Sequence, residues 1–221
     1  MTRPGEDIAA DGSPVEVYRR LPPNGEAEIV DAVVPIGATV LELGAGAGRV
    51  TRRLVALGHP VVAVDESAAM LSALEGLEGV ERVQSGIEDL DLGLRFPVVL
   101  LGSHLVNSPS PVRDRFLHTA RRHAAPGGDV MIEVYPPAVR WEVGRSSLLG
   151  EVEVAFEAVR LDPPFVHATV AYTLDSRTWR QPFEAELLGE PALRAVLGGV
   201  GLAFDRWLDE KRGWLLARAP A

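Results

Sequence analysis

The sequence contains no cysteine, so disulfides, thiolate metal sites and cysteine nucleophiles are excluded. Lys211 is the only lysine among 22 basic residues, which leaves almost no candidate for lysine-based catalysis. No His-Glu-x-x-His pattern, paired acids or clustered histidines occur where a metal would be held, and no metal is expected. Apolar runs are strand-sized, well short of the roughly 20 residues that a membrane-spanning helix needs. The first residues, Met1-Thr2-Arg3-Pro4-Gly5-Glu6-Asp7, carry no apolar signal core, so the expectation is a cytoplasmic protein with no membrane partner. Positive charge is also short. Lys and Arg total 22 against 31 Asp and Glu, and the net charge of −9 repels a phosphate backbone and argues against a nucleic-acid partner. Apolar residues are plentiful: 47% of 221 residues are hydrophobic, enough for one substantial core.

Strands alternate with helices from Thr39 onward, the pattern of a parallel sheet covered on both faces. Apolar Thr39–Leu43 runs into Gly44-Ala45-Gly46-Ala47-Gly48, and a helix follows from Arg49 with Val50, Leu54 and Leu57 on one side. Val61–Val64 is a second strand closing on Asp65, and Ser67 is placed to cap a helix that buries Met70, Leu71 and Leu74. Strands over Val80–Gln84 and Pro97–Leu101, a helix after Ser110-Pro111 and a strand over Val130–Val134 complete a doubly wound core. His118 and His123 on that helix lie off its apolar face and are expected to be solvated. Beyond Tyr135-Pro136-Pro137 the period changes to two in three short runs, around Val152, Ala168 and Phe183, which reads as antiparallel strands with one buried face. A helix from Pro191 and two final strands, Leu202–Leu208 and Trp214–Arg218, form a closing hairpin. The expected fold is therefore α/β: a doubly wound, Rossmann-like, mostly parallel sheet with a C-terminal antiparallel hairpin and an antiparallel β cap. Its segments are a loose tail (1–14), a core (15–135), the cap (136–187) and a terminal helix and hairpin (188–221). An exposed strand edge on the cap is a natural way to pair two subunits.

Chemistry is signalled by Glu42-x-Gly44-x-Gly46-x-Gly48 between a strand and a helix, because glycine alone lets a backbone turn tightly and approach a ligand closely. A dinucleotide site wants Gly-x-Gly-x-x-Gly; here the third glycine comes one residue early. Asp65 ends the second strand 21 positions after Gly44, where a carboxylate can accept both hydrogen bonds of a ribose diol. A plain tight turn followed by a solvated strand end is the structural alternative.

Through Val40-Leu41-Glu42-Leu43-Gly44-Ala45-Gly46-Ala47-Gly48, Val64-Asp65-Glu66-Ser67-Ala68-Ala69-Met70-Leu71, Glu88-Asp89-Leu90 and Ala125-Pro126-Gly127-Gly128, the chain resembles the class I S-adenosylmethionine-dependent methyltransferases of small-molecule type. The likeness spans roughly residues 35–135 and does not account for the cap. It implies S-adenosylmethionine as cofactor, with S-adenosylhomocysteine as product. Glu42, Gly44, Ala45 and Gly46 would lie against the methionine moiety, Asp65 against the ribose, Glu66 and Met70 beside the adenine, and Ile87 and Glu88 at its edge. Gly102 and Ser103 would complete the cofactor contacts. Many members carry an acid where this chain has Gly86, so the adenine amino group must be met by Glu88, a main-chain group or water.

The acceptor side rests on Gly102-Ser103-His104-Leu105-Val106-Asn107, at the crevice end of the fourth strand. His104 is the candidate base, since a neutral imidazole takes a proton from a hydroxyl or ammonium; a structural or cofactor-contacting histidine is the other reading. Asn107, Tyr135 and Trp141 are candidate acceptor contacts, Asn107 doubling as a turn cap. Glu133 is the odd residue in an apolar strand and reads equally as an acceptor-site carboxylate or a buried structural one. Missing Asn/Asp-Pro-Pro-aromatic, cysteine and lysine signatures point to a small organic acceptor, in keeping with specialised biosynthesis, methylated on oxygen, nitrogen or carbon. The alternative is a methyltransferase fold recruited for a cyclisation or rearrangement.

Overall fold

The computed structural model describes residues 8–220. In chain order the elements are α1 (Val15–Tyr18), α2 (Glu26–Asp31), β1 (Val40–Leu43), α3 (Arg49–Ala56), β2 (Val61–Asp65), α4 (Ala68–Leu71), β3 (Val80–Gln84), β4 (Phe96–Leu101), α5 (Val112–His123), β5 (Ala124–Glu133), β6 (Ser146–Leu149), β7 (Val152–Asp162), β8 (Phe165–Leu174), β9 (Arg177–Glu186), α6 (Glu190–Gly199), β10 (Ala203–Trp207) and β11 (Trp214–Arg218). Seven strands form one sheet in the order β10-β11-β5-β4-β1-β2-β3, parallel except for β11, which runs antiparallel to both neighbours. The Rossmann-like sheet with its closing hairpin is thus as expected.

β1 lies between β2 and β4, and all four of its residues are buried, because helices cover both faces. Leu41 and Leu43 pack toward Leu117 of α5 and Leu193 and Leu197 of α6, whereas Val40 packs toward Leu54 of α3 and Val30 of α2. Each such fully buried leucine stabilises the fold by about 1.5–3 kcal/mol. Period two puts Glu42 on the α3 face, which matters below.

The cap is a separate four-stranded antiparallel sheet, β6-β7-β8-β9. Three of its strands show the expected alternation; β6 is exposed along its whole length and so has none to read. The inner face of the cap packs Val166, Ala168 and Ala185 against Tyr135 and Trp141 at one end. At the other end Val152 and Leu174 close on Val17 of α1.

Several local expectations are corrected. Residues 8–14 are folded, not loose: Ile8 bridges Pro14, and Gln181 of β9 donates to the Asp11 carbonyl (3.3 Å) and the Ser13 hydroxyl (3.0 Å). The rest of that segment, 1–7, lies outside the described residues. α1 and α2, at four and six residues, are too short for their periodicity to stand out. His123 is buried: its Nε2 accepts the Leu92 amide (3.2 Å) and its Nδ1 pairs with the Thr119 carbonyl (2.9 Å), so polar partners, not solvent, satisfy it. His118 is exposed. Among the described residues no helix is long and apolar enough to cross a membrane.

Candidate active site

The order of strands across the sheet reverses at β1: β2 and β3 extend the sheet to one side, β4 and β5 to the other. The carboxyl ends of β1 and β4 flank this switch, the place where doubly wound sheets bind ligands. Everything described next hangs on the loops after those strands.

On one side is the glycine loop. Gly44, Gly46 and Gly48 all have left-handed φ (74°, 56° and 83°), and a Cβ on Gly44 would come within 2.8 Å of Leu105. A Cβ on Gly48 would collide with Leu74. The loop is bolted to β2: Gly44 and Ala45 both donate to the Val64 carbonyl (2.9 and 2.8 Å), and Gly46 donates to Asp65 Oδ2 (2.8 Å). These three amides are therefore spent, unlike those of a loop built to cradle phosphates. Asp65 Oδ1 takes the Ser67 amide (2.9 Å), so each carboxylate oxygen holds one donor and keeps capacity for another. Burial raises the Asp65 carboxyl above its ordinary value, against the pull of those two amides.

Glu42 lies almost buried under the loop, where the Thr51 hydroxyl of α3 donates to its Oε2 (2.6 Å). Burial pushes its carboxyl up to about 7, opposed by the Thr51 bond and by Arg49, whose guanidinium pairs with Glu26. Ile87 reaches to within 3.6 Å of where a Gly44 Cβ would stand. Glu66 and Glu88 are exposed at the same end; the Glu66 carboxyl is raised by burial and by Asp11, Asp65 and Glu88. Met70 departs from expectation. It is packed with Val15 and Ala47, so α1 occupies the surface on which an adenine neighbour was expected.

Across the crevice, Ser103 and His104 both adopt left-handed φ (52° and 57°), a conformation that costs an L-residue roughly 1–2 kcal/mol. The strain turns two successive amides onto one carboxylate: Ser103 N–H lies 2.6 Å from Glu133 Oε2, and the His104 amide bonds to Glu133 as well. The His104 ring stacks on Tyr135, centroids 4.0 Å apart and planes within 7°. Trp141 meets Tyr135 edge-on at 4.9 Å, with Phe156 and Phe183 behind it, so the cap closes this half of the crevice with an aromatic wall. His104 Nε2 stands 3.7 Å from Glu133 Oε1. The histidine keeps 30% of its side chain exposed at the crevice rim, yet its surroundings are dense enough to hold its pKa down to about 4 and leave it neutral. Burial pushes Glu133 up to about 7, against Arg49 and the two amides. Among the described residues no group of three His, Asp or Glu is placed to hold a metal ion.

The structure thus gathers Gly44, Ala45, Gly46, Asp65, Ile87, Ser103, His104, Tyr135 and Trp141 at the carboxyl end of the parallel strands. Asn107 is a correction. Its Nδ2 donates to the Glu186 carbonyl (2.7 Å) and its Oδ1 accepts the Tyr135 amide (3.1 Å), so this buried side chain ties the cap to β5 and does not reach toward an acceptor. Sequence reading missed Tyr18, whose ring is 3.9 Å from a Cβ built on Gly46 and whose hydroxyl donates to Gln181 (3.4 Å). Its only signal was an aromatic residue in an unrecognised four-residue helix.

Residues 40–128 match the methyltransferase domain family. An uncharacterized methyltransferase of Mycobacterium tuberculosis is 47% identical over 64 residues, 28% of this chain and 26% of that protein, so the chain spans about a quarter of that relative's length. A ribosomal RNA small subunit methyltransferase A from Anaeromyxobacter dehalogenans is 29% identical over 80% of this chain and 72% of its own. Among solved structures, the CcbJ methyltransferase from Streptomyces caelestis superposes with a TM-score of 0.75 at 22% identity, covering 98% of both chains. CalS10, an amino pentose methyltransferase of calicheamicin biosynthesis from Micromonospora echinaspora, solved with S-adenosylmethionine bound, gives 0.66 at 21% identity over 87% of both. The fold is that of the Rossmann-like methyltransferases.

Proposed function

We propose that this protein transfers the methyl group of S-adenosylmethionine to a small organic acceptor. The observation that carries the reading is the crevice itself: a glycine loop bolted to Asp65 on one side and His104, stacked on Tyr135 under an aromatic cap wall, on the other. The residues fit the cofactor. Glycines at 44 and 46 leave the loop surface without side chains, and the remaining acceptor capacity of Asp65 suits two ribose hydroxyls. Glu42 is placed under the methionine end, with Glu66, Ile87 and Glu88 at the adenine end and Gly102 and Ser103 between. The cofactor supplies an electrophilic methyl group on a cationic sulfur.

The protein's own residues then have three tasks. The crevice must hold the acceptor in line at near-attack distance. The wall of Tyr135, Trp141, Phe156 and Phe183 must keep out water, a competing nucleophile. His104, neutral at physiological pH, must take the proton that a hydroxyl or ammonium acceptor sheds. A small acceptor is favoured by the net charge of −9, which sets this chain apart from what a ribosomal RNA substrate asks for, and by the small-molecule methyltransferases that share the fold. No observation favours a cyclisation or rearrangement.

Thermal unfolding tests the reading with S-adenosylmethionine, S-adenosylhomocysteine and NAD, each in large excess. A ligand at about 100 times its Kd stabilises by about 2.7 kcal/mol, or roughly 5–11 °C for a chain of this size. Shifts with both sulfur compounds and none with NAD are expected; no shift with either sulfur compound would overturn the assignment.

A further inference from the structure

One half-buried acid has no part in the chemistry above. Glu133 ends β5 directly after the apolar run Val130-Met131-Ile132, and nothing in a parallel sheet calls for a carboxylate there. The chain goes to some expense to hold it, since Ser103 and His104 are both strained into the left-handed region and their amides converge on its oxygens. With Oε2 fixed on the Ser103 amide, Oε1 is left nearest His104 Nε2 at 3.7 Å, an ion-pair distance longer than a hydrogen bond that a small turn of the ring would close. Among the described residues His104 Nδ1 has no hydrogen-bond partner.

We propose that Glu133 is a positioning residue that selects the Nε2–H tautomer of His104, so that the lone pair of Nδ1 is the one offered to the acceptor. This rests on the reading of His104 as the base. As the bond from acceptor to methyl carbon forms and the carbon–sulfur bond breaks, its electron pair leaving on sulfur, the acceptor's proton moves to Nδ1. The imidazolium so formed keeps its Nε2–H toward the Glu133 carboxylate and loses a proton to solvent once the product has left. An acceptor that sheds a proton, a hydroxyl or an ammonium, is the class this arrangement serves. The other groups facing the pair are Arg49, whose charge favours the carboxylate and disfavours the imidazolium, Glu26, which opposes Arg49, and the Tyr135 phenol, held un-ionised by burial.

The dependence on pH has a definite sign. Where Glu133 is ionised it can only accept, and His104 must present Nε2–H; where Glu133 is protonated it donates to Nε2, and the proton of the ring moves to Nδ1. Because Glu133 is raised to about 7, the changeover falls near neutrality.

The test is nitrogen NMR of His104 in the full chain, wild type against Glu133→Gln, with S-adenosylhomocysteine affinity measured on both by calorimetry. In the variant the amide oxygen stays on the Ser103 amide, because an NH2 cannot face an N–H, and the NH2 group then donates to His104 Nε2. Wild type at about pH 8.5 is expected to show Nε2–H, and the variant Nδ1–H at the same pH, with cofactor affinity unchanged. Glu133→Asp, which keeps the charge, restores Nε2–H. The same tautomer in wild type and Gln variant overturns the proposal. Failure to bind S-adenosylhomocysteine would count against the methyltransferase reading alone, because the tautomer is read without turnover.

Discussion

Glu42→Gln is expected to make the protein more stable at alkaline pH and to leave it unchanged at acid pH. Glu42 is 5% exposed at the end of β1, facing α3, with the Thr51 hydroxyl on one oxygen. Loss of hydration pushes its carboxyl from 4.5 up to about 7; Asp65 and Glu26 add to the shift, and the Thr51 bond and Arg49 oppose it. A raised acid binds its proton more readily in the folded than in the unfolded chain, so the folded state is favoured at low pH. Stability then falls as pH rises from about 4.5 and levels off above about 7. With 1.36 kcal/mol per pKa unit, the full penalty is on the order of 3 kcal/mol. Glutamine keeps the acceptor for Thr51 and has nothing to ionise. The variant should therefore melt roughly 6–12 °C above wild type at about pH 8 and within a degree or two of it at about pH 5. Calorimetry on both proteins at both pH values measures this directly, and the wild-type slope contributed by Glu133 cancels in the difference. A variant less stable than wild type at pH 8, or a difference independent of pH, would refute the reasoning. The gain should come with weaker cofactor binding, since a buried charge kept at a destabilising position is the mark of a functional site.

Gly48→Ala should destabilise by about 2–5 kcal/mol, combining a left-handed backbone with overpacking against Leu74, and a loss below about 1 kcal/mol in denaturant unfolding would show that the loop yields. Asn107→Ala removes both ties between the cap and β5 and should cost about 2–4 kcal/mol, read from the same titration. Asp65→Ala should abolish the melting shift caused by S-adenosylhomocysteine, because it removes the ribose acceptor and frees the Gly46 amide together. His104→Ala should lower turnover by about 10²–10⁴-fold with cofactor affinity unchanged; a fall in affinity instead would make it a cofactor contact.

The glycine loop and its partners were legible because their signals are local. Left-handed turns demand glycine, a strand end places Asp65, and Ser67 caps the following helix through its own chain, the Met70 amide lying 3.2 Å from its hydroxyl. Each is a statement about a few consecutive residues, and single-residue chemistry answers it. Met70 marks the limit of that logic: its helical face was right, but α1 covers it, and α1 is too short to announce itself.

The side opposite that loop was decided by tertiary structure. His104, Glu133, Tyr135 and Trp141 lie on two loops and a strand end, and only the pairing of β4 with β5 and the seating of the cap bring their side chains together. Glu133 was recognisable as a polar residue in apolar company and Asn107 as an acceptor contact or turn cap, but whether such a residue faces a ligand or the main chain depends on which groups arrive opposite it. For Asn107 those groups were the Glu186 carbonyl and the Tyr135 amide; for Glu133 they were two strained amides and an imidazole. Sequence therefore determined the parallel core and the glycine loop, through periodicity and backbone sterics, while long-range packing set the protonation, orientation and partners of the residues opposite that loop.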